Sequence, residues 1–189
     1  MPSPVELRTE RLVLRLARDD EARGVLAYFE RNREHLARWE PEPPAAFYTE
    51  AFWLERLATY RRDAEHDRAH RFHLFEQPSG RIIGTLGLSN VVRGAFQSAT
   101  LGFGLDRSRE GEGVMREACE AVIAHAFDEL RLHRLEANHR PENQRSGALL
   151  RRLGFVPIGY ARDYLHIAGD WVDHVLTQRI NARWLPPSR

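Results

Sequence analysis

The stretch Leu105-Asp-Arg-Ser-Arg-Glu-Gly-Glu-Gly-Val-Met115 decides the fold, because it joins the end of a β-like run to the start of an amphipathic helix. Before it, Ala99 to Leu105 reads as a strand. After it, from Val114 to Leu130, Ala118, Ala121, Val122, Ala126 and Leu130 form one apolar stripe at helical spacing. Such a junction leaves the first-turn backbone N–H groups bare at the positive end of the helix, and glycines let a phosphate approach them. The segment is a candidate pyrophosphate cradle, although a Gly-x-Gly ahead of a helix is more often just a tight turn. It is not the dinucleotide fingerprint, since a third glycine is missing and the preceding strands read as antiparallel. Nor is it a P-loop, because no Gly-Lys-Ser/Thr follows.

Upstream, Leu12, Leu14 and Leu16 alternate with Arg11, Val13 and Arg15, which predicts a strand with one face in the core. Asp19 and Asp20 are candidate caps for a helix pair carrying Val25, Leu26, Phe29, Leu36 and Trp39, which Pro41, Pro43 and Pro44 stop. Thr49 is placed to cap a helix over 49–64 with Phe52, Trp53, Leu57 and Tyr60 on one side. Phe72 and Leu74, then Arg81 to Val92, then Ala99 to Leu105 predict an antiparallel meander, with a Pro-Ser-Gly turn at 78–80. Downstream come a strand from Arg134 to Asn138 and a short helix from about Asn143 to Leu153, closed by Gly154. Two strands follow, Phe155 to His166 and Trp171 to Ile180, joined at Ala168-Gly169-Asp170. The order predicts one α+β domain over 1–189, with its core at about 7–180 and a C-terminal tail at 181–189.

Of 189 residues, 42% are hydrophobic and 29% charged, which points to a globular protein rather than a disordered or membrane one. The net charge of +1 supplies no field to hold a nucleic acid backbone, so direct nucleic acid binding is not expected. All 28 basic residues are arginine, a bias read as coding composition rather than chemistry. The lone cysteine, Cys119, cannot make an internal disulfide; beside the apolar stripe it reads as a packed thiol. No apolar run is long enough to span a bilayer and the N-terminus lacks a secretory design, so a cytoplasmic protein without a membrane partner is expected. His66, His70 and His73 have spacings that suit zinc, but no fourth ligand is apparent and no metal is expected.

The second informative segment is Leu135-Glu-Ala-Asn-His-Arg-Pro-Glu-Asn-Gln-Arg-Ser-Gly-Ala-Leu-Leu-Arg-Arg-Leu-Gly-Phe155. Together the two segments resemble the GNAT superfamily of acetyltransferases: a Gly-rich loop and helix, a strand ending near an Asn, a helix opening, and Leu-Gly-Phe entering the next strand. The nearest resemblance is to the ribosomal-protein-alanine N-acetyltransferases, carried by Pro141 to Gly147, Arg152 to Phe155, Gly159 to Leu165 and Trp171 to Leu176. It extends from about Leu7 to Thr177.

That resemblance implies a GNAT fold, a mixed and mostly antiparallel central sheet flanked by helices, in a monomer or homodimer. It implies acetyl-CoA as cosubstrate and the amino terminus of a ribosomal protein as acceptor partner. Arg109, Gly111 and the backbone of Glu112, Gly113, Val114 and Met115 would hold the CoA pyrophosphate. The strand end Phe103, Gly104 and Leu105 would pair with the pantetheine amides, and Asn143 would touch the same arm. Ser146 would sit by the thioester sulfur, and Asn138 occupies the strand position where other members often carry Glu. Each residue also has a plainer role open to it: Asn143 as a helix cap, Ser146 in a local hydrogen bond, Phe103 in the core. Related enzymes usually have Gln or Arg at the position of Glu110 and commonly a basic residue at that of Glu112. Here two carboxylates stand beside the expected pyrophosphate, offset by Arg107, Arg109 and Arg116.

Acetyl transfer needs a neutral amine. A chain-terminal amine with a pKa of about 7.7–8.0 is roughly a tenth neutral near pH 7, so a weak base suffices and water is the expected proton acceptor. Glu136, Asp163, Asp173 and His174 are candidates to relay the proton, each equally readable as surface or ion pair. Two alternatives stay open: acetylation of a small amine or amino-sugar, or a weakly catalytic CoA-binding module on the ribosome. In either enzymatic case the segment from Leu36 to Phe52, with Trp39, Phe47 and Tyr48, should wall the acceptor site.

Overall fold

A computed structural model describes residues 5–186, so 187–189 of the expected tail lie outside the described residues. The strands are β1 (Glu6–Arg8), β2 (Leu12–Arg15), β3 (His70–Glu76), β4 (Ile82–Val92), β5 (Ser98–Leu105), β6 (Arg134–His139), β7 (Val156–Ile167) and β8 (Asp170–Ile180). They form one sheet in the order β1-β2-β3-β4-β5-β6-β8-β7. The helices are α1 (Ala22–Arg31), α2 (Arg33–Leu36), α3 (Glu50–Glu65), α4 (Val114–Asp128) and α5 (Gln144–Arg152). No described helix is long and apolar enough to cross a membrane.

Two cores lie on the two faces of the sheet. Leu12, Leu14, Leu101, Leu135 and Ala137 meet the α4 stripe of Ala118, Cys119, Val122 and Ala126, together with Leu150 and Leu153 from α5. Opposite them, Val25, Tyr28, Phe29, Leu36, Trp53 and Leu57 from α1 to α3 pack on Phe75 and Ile82, with Val13 and Leu16 against them. The strand at Leu12 is thus covered on both faces, not one, and Leu16 lies just beyond it. Burying each such Val or Leu side chain contributes on the order of 2 kcal/mol, which is why α1 and α4 stay fixed to opposite faces.

Thr49 caps α3 as expected, its Oγ1 accepting from Phe52 N at 3.2 Å. Asp19 and Asp20 do not cap α1. They form a 3-10 turn with Glu21, and Asp19 is drawn instead to Arg61 Nη1 at 2.8 Å. The meander and the final hairpin lie where the pattern put them, within a residue or two at their ends.

The feature that makes a site is a gap in the sheet. β5 and β6 run parallel and pair only over Ser98–Thr100 with Arg134–Glu136. Beyond that β5 continues to Leu105 beside β4 alone, while β6 continues to His139 beside β8. Asp106 N donates to Ile83 O at 2.7 Å. By the alternation of an antiparallel ladder, the N–H and C=O of Phe103 and Leu105 therefore point away from β4, into the gap.

Candidate active site

α4 opens at Gly113, whose φ of +77° and lack of any side-chain cap leave the first turn uncovered. Gly111 has φ +83° and open space around the position of a Cβ. Both glycines occupy a left-handed conformation that costs a side-chain-bearing residue about 1–2 kcal/mol. Among the described residues, the N–H groups of Gly111, Glu112, Gly113, Val114, Met115 and Arg116 have no hydrogen-bond acceptor; Glu117 N is the first to find one, Gly113 O at 3.2 Å. The side chains of Val114 and Met115 are buried in the core beneath, so only their backbone faces outward. A row of unpartnered donors at a helix N-terminus suits an anion.

The loop is held from below by Asp106, which accepts from Arg31 Nε at 2.6 Å, Arg81 Nη2 at 3.0 Å and Ser108 Oγ at 2.8 Å. Burial works to raise this carboxyl, but the hydrogen bonds from Arg31 and Ser108 overcome it and hold the group well below the usual carboxylate range. Arg107 N donates to Asn32 Oδ1 at 3.1 Å, which ties the same loop to α1.

The two carboxylates at the cradle are not bare. Glu110 pairs with Arg145 from α5 and lies 3.4 Å from His35 Nε2 of α2. Glu112 lies 3.7 Å from Arg109 Nη1, and Arg109 also pairs with Glu76. Arg109 therefore reaches the loop with its charge already shared between two carboxylates. Arg11, which the pattern assigned only to a strand surface, extends to the head of α4: its Nη1 donates to Glu112 O at 2.9 Å and its Nε to Glu117 at 2.6 Å.

Across the gap, Asn143 caps α5 by accepting from Ser146 N at 3.1 Å. Among the described residues the Asn143 Nδ2 and the Ser146 hydroxyl make no hydrogen bond. Asn138 lies on the opposite sheet face from its buried neighbour Ala137. Its amide donates to Tyr164 OH at 3.2 Å and accepts from Thr177 N at 3.4 Å, so it ties β6 to the final hairpin. Of the relay candidates, Asp173 accepts from Tyr160 OH at 2.6 Å and from Asp163 N at 2.9 Å. Glu136 pairs loosely with Arg134 at 3.7 Å. His174 is buried with Nδ1 on Val172 O at 3.0 Å, and burial lowers its pKa.

On the α1 to α3 face, a cavity of about 280 Å³ is lined by Phe29, Arg33, Leu36, Glu40, Phe47 and Tyr48, among others. Its wall is stiffened by aromatic packing: Phe47 meets Phe29 and Trp53 edge-on, each at 4.9 Å between ring centroids. Trp39 lies just beyond, under Arg140 at 5.7 Å. Glu40 is the residue the sequence reading missed. It sits in a proline-rich turn, and burial pushes its carboxyl up to about 7.

The three histidines do not converge. His73 is fully buried with Nδ1 accepting from Ala17 N at 3.1 Å, His70 meets Asp67 at 3.1 Å, and His66 lies on Arg62 O at 2.7 Å. Among the described residues no cluster of three or more His, Cys, Asp or Glu is arranged to hold a metal ion. The Cys119 thiol is buried, and burial raises its pKa, which suits a packed side chain rather than a nucleophile.

Residues 11–156 match the model of the acetyltransferase (GNAT) domain. Over 182 residues the chain is 41% identical to the ribosomal protein uS5-alanine N-acetyltransferase of Escherichia coli, spanning 96% of this chain and 94% of that one. The crystal structure of a ribosomal-protein-S5-alanine acetyltransferase from Vibrio fischeri is similar at a TM-score of 0.92 and 38% identity, covering 96% of this chain and 100% of the other. RimJ of Mycobacterium smegmatis, solved in complex with CoA-disulfide, is similar at a TM-score of 0.87 and 31% identity, covering 98% and 91%.

Proposed function

The chain belongs to the GNAT acetyltransferase family, and from that premise we propose that it transfers the acetyl group of acetyl-CoA to the amino-terminal alanine of a ribosomal protein. It is an acetyl-CoA-dependent N-acetyltransferase. The observation that carries the reading of the site is the run of unpartnered amides from Gly111 to Arg116, beside a strand whose Phe103 and Leu105 backbone groups face a gap.

In this reading the amides take the pyrophosphate, where the helix dipole and direct N–H donation both favour negative charge. The backbone of Phe103 and Leu105 pairs with the pantetheine amides, as a strand would, and Gly104 leaves space on the acceptor face beside them. Asn143 Nδ2 is the group left to contact the pantetheine arm once Oδ1 has capped α5. The Ser146 hydroxyl donates to the sulfur. A thiol of pKa about 8.5 leaves as thiolate with little help, so a hydrogen bond there is sufficient. Asn138 positions β6 against the final hairpin and bounds the far side of the gap.

The acceptor enters from the α1 to α3 face, through the cavity walled by Leu36, Phe47 and Tyr48. A terminal amine suits the site because roughly a tenth of it is already neutral near pH 7, far more than of a lysine side chain. The names of the relatives, which share more than a third of their residues with this chain over nearly its whole length, support alanine of a small-subunit ribosomal protein as the acceptor. The test is mass spectrometry of an alanine-starting peptide incubated with the purified chain and acetyl-CoA. One added acetyl group on the α-amine is expected. Release of CoA with small amines only, or no release with any amine, overturns the reading.

A further inference from the structure

Glu40 follows α2 directly, its backbone N donating to Leu36 O at 3.1 Å, and Pro41 fixes the chain's exit. Its side chain turns inward to the sheet. A Cβ built on Gly104 would stand 3.3 Å from Glu40 Oε1, 3.3 Å from Tyr28 Oη and 3.5 Å from Thr85 Oγ1. Two polar groups, the buried Tyr28 hydroxyl and the half-buried Glu40 carboxylate, therefore converge on the same point, beside the β5 backbone that faces the gap. Among the described residues Glu40's carboxylate makes no hydrogen bond or ion pair, and Tyr28's hydroxyl has only the Thr85 hydroxyl beside it. Glu40 also lines the 280 Å³ cavity, so it stands between that cavity and Gly104.

A half-buried carboxylate that makes no hydrogen bond or ion pair and lines the cavity is left free to act on whatever enters it. Tyr28 from α1 and Thr85 from β4 stand beside it at Gly104, Arg33 from α2 and Tyr48 from the turn before α3 line the cavity with it, and Arg31 lies over the Tyr28 ring at 5.5 Å. None of the arginines claims it. Arg31 is held by Asp106, and Arg33 lies over the Tyr48 ring at 4.4 Å. Arg140 is bound to Arg38 O at 3.0 Å and to Glu142 at 3.1 Å.

Resting on the acetyl-transfer reading, we propose that Glu40 is the proton acceptor for the incoming amine, held at the inner end of the acceptor cavity with Tyr28 beside it. The ammonium enters and gives one proton to the Glu40 carboxylate. The freed nitrogen lone pair forms the N–C bond at the thioester carbonyl. As the tetrahedral intermediate collapses the C–S bond breaks, the sulfur keeps the electron pair, and the second nitrogen proton goes to that thiolate. Glu40 then passes its proton to water, so each turnover releases one proton, one CoA thiol and one amide.

The test is Glu40→Gln, assayed with an alanine-starting peptide across pH 6 to 9. Burial places the wild-type carboxyl at about 7, so wild-type kcat/KM should show an acidic limb there. In Glu40→Gln, kcat at pH 7 is expected to fall by about a hundredfold. Its limb should give way to a continuous rise with pH, while acetyl-CoA affinity by calorimetry is unchanged. Should that variant fail to fold, Glu40→Ala with added formate provides the second measurement, and partial recovery of rate is expected. A wild type that leaves the peptide unmodified removes the acetyl-transfer reading and this assignment together. An active wild type alongside a Glu40→Gln of equal kcat and unchanged limb, or an Ala variant deaf to formate, overturns the assignment alone.

Discussion

Arg11 Nη1 donates to the carbonyl oxygen of Glu112 at 2.9 Å, which pins the loop before α4 to the strand edge at the far side of the sheet. The same side chain holds Glu117 through Nε, and its own backbone N donates to Glu117 at 2.9 Å. The carbonyl of Glu112 is thereby fixed, and with it the direction of the Gly113 N–H that shares its peptide plane. Arg11→Gln should raise the acetyl-CoA dissociation constant about three- to tenfold while costing no more than about 1 kcal/mol of stability. Calorimetry and chemical denaturation on the same preparation check both halves.

Glu112 is nearly half exposed and stands 3.7 Å from Arg109, too far to be well neutralised. Glu112→Lys should tighten acetyl-CoA binding about three- to tenfold at low ionic strength, with the gain shrinking as salt is added, because exposed charges are screened. Titrations at two salt concentrations read this directly. Unchanged or weaker binding counts against the loop as the phosphate site.

The Ser146 hydroxyl is free among the described residues, while its backbone N is held by Asn143. Ser146→Ala should lower kcat about tenfold to a thousandfold with little change in the KM for acetyl-CoA, as expected for a donor whose hydrogen bond strengthens as the sulfur gains charge. Wild-type turnover in the variant removes Ser146 from the site.

His73 must be neutral to accept from Ala17 N, and its full burial lowers its pKa to about 4. Unfolded, it takes a proton near 6.5. Its contribution is therefore intact above pH 6.5 and is lost as pH falls from 6.5 towards 4, amounting to on the order of 3 kcal/mol. His73→Asn keeps an acceptor without the titration, so denaturation midpoints of wild type and variant should converge between pH 7 and pH 4.5. Parallel pH dependence of the two would place the titration elsewhere.

The local signals in the sequence were strong where one element's own residues decide its form. The Gly-x-Gly at 111–113 marked the turn before α4, where both glycines are left-handed, and the meander lies where periodicity put it; the α4 stripe holds at Ala118, Val122 and Ala126, while the helix ends at Asp128, short of Leu130. β1 escaped because three residues carry no period; it exists by pairing Leu7 with Leu14. Glu110 read as a repulsive neighbour for a pyrophosphate because its partners, His35 and Arg145, come from helices far away in the chain. Glu40 was invisible for a related reason. Nothing in a Glu-Pro-Glu-Pro-Pro run shows that one of its carboxylates folds back under Gly104, and only the absence of a side chain at that glycine makes room for it.

The most direct measurement of the central claim is an amide NMR titration of uniformly 15N-labelled protein with CoA. The backbone N–H resonances of Gly111 to Arg116 should move furthest and downfield, as bare donors acquiring phosphate acceptors, and Glu117, already bonded to Gly113 O, should move less. If CoA binds while those six resonances stay in place, the head of α4 is not where its phosphates sit.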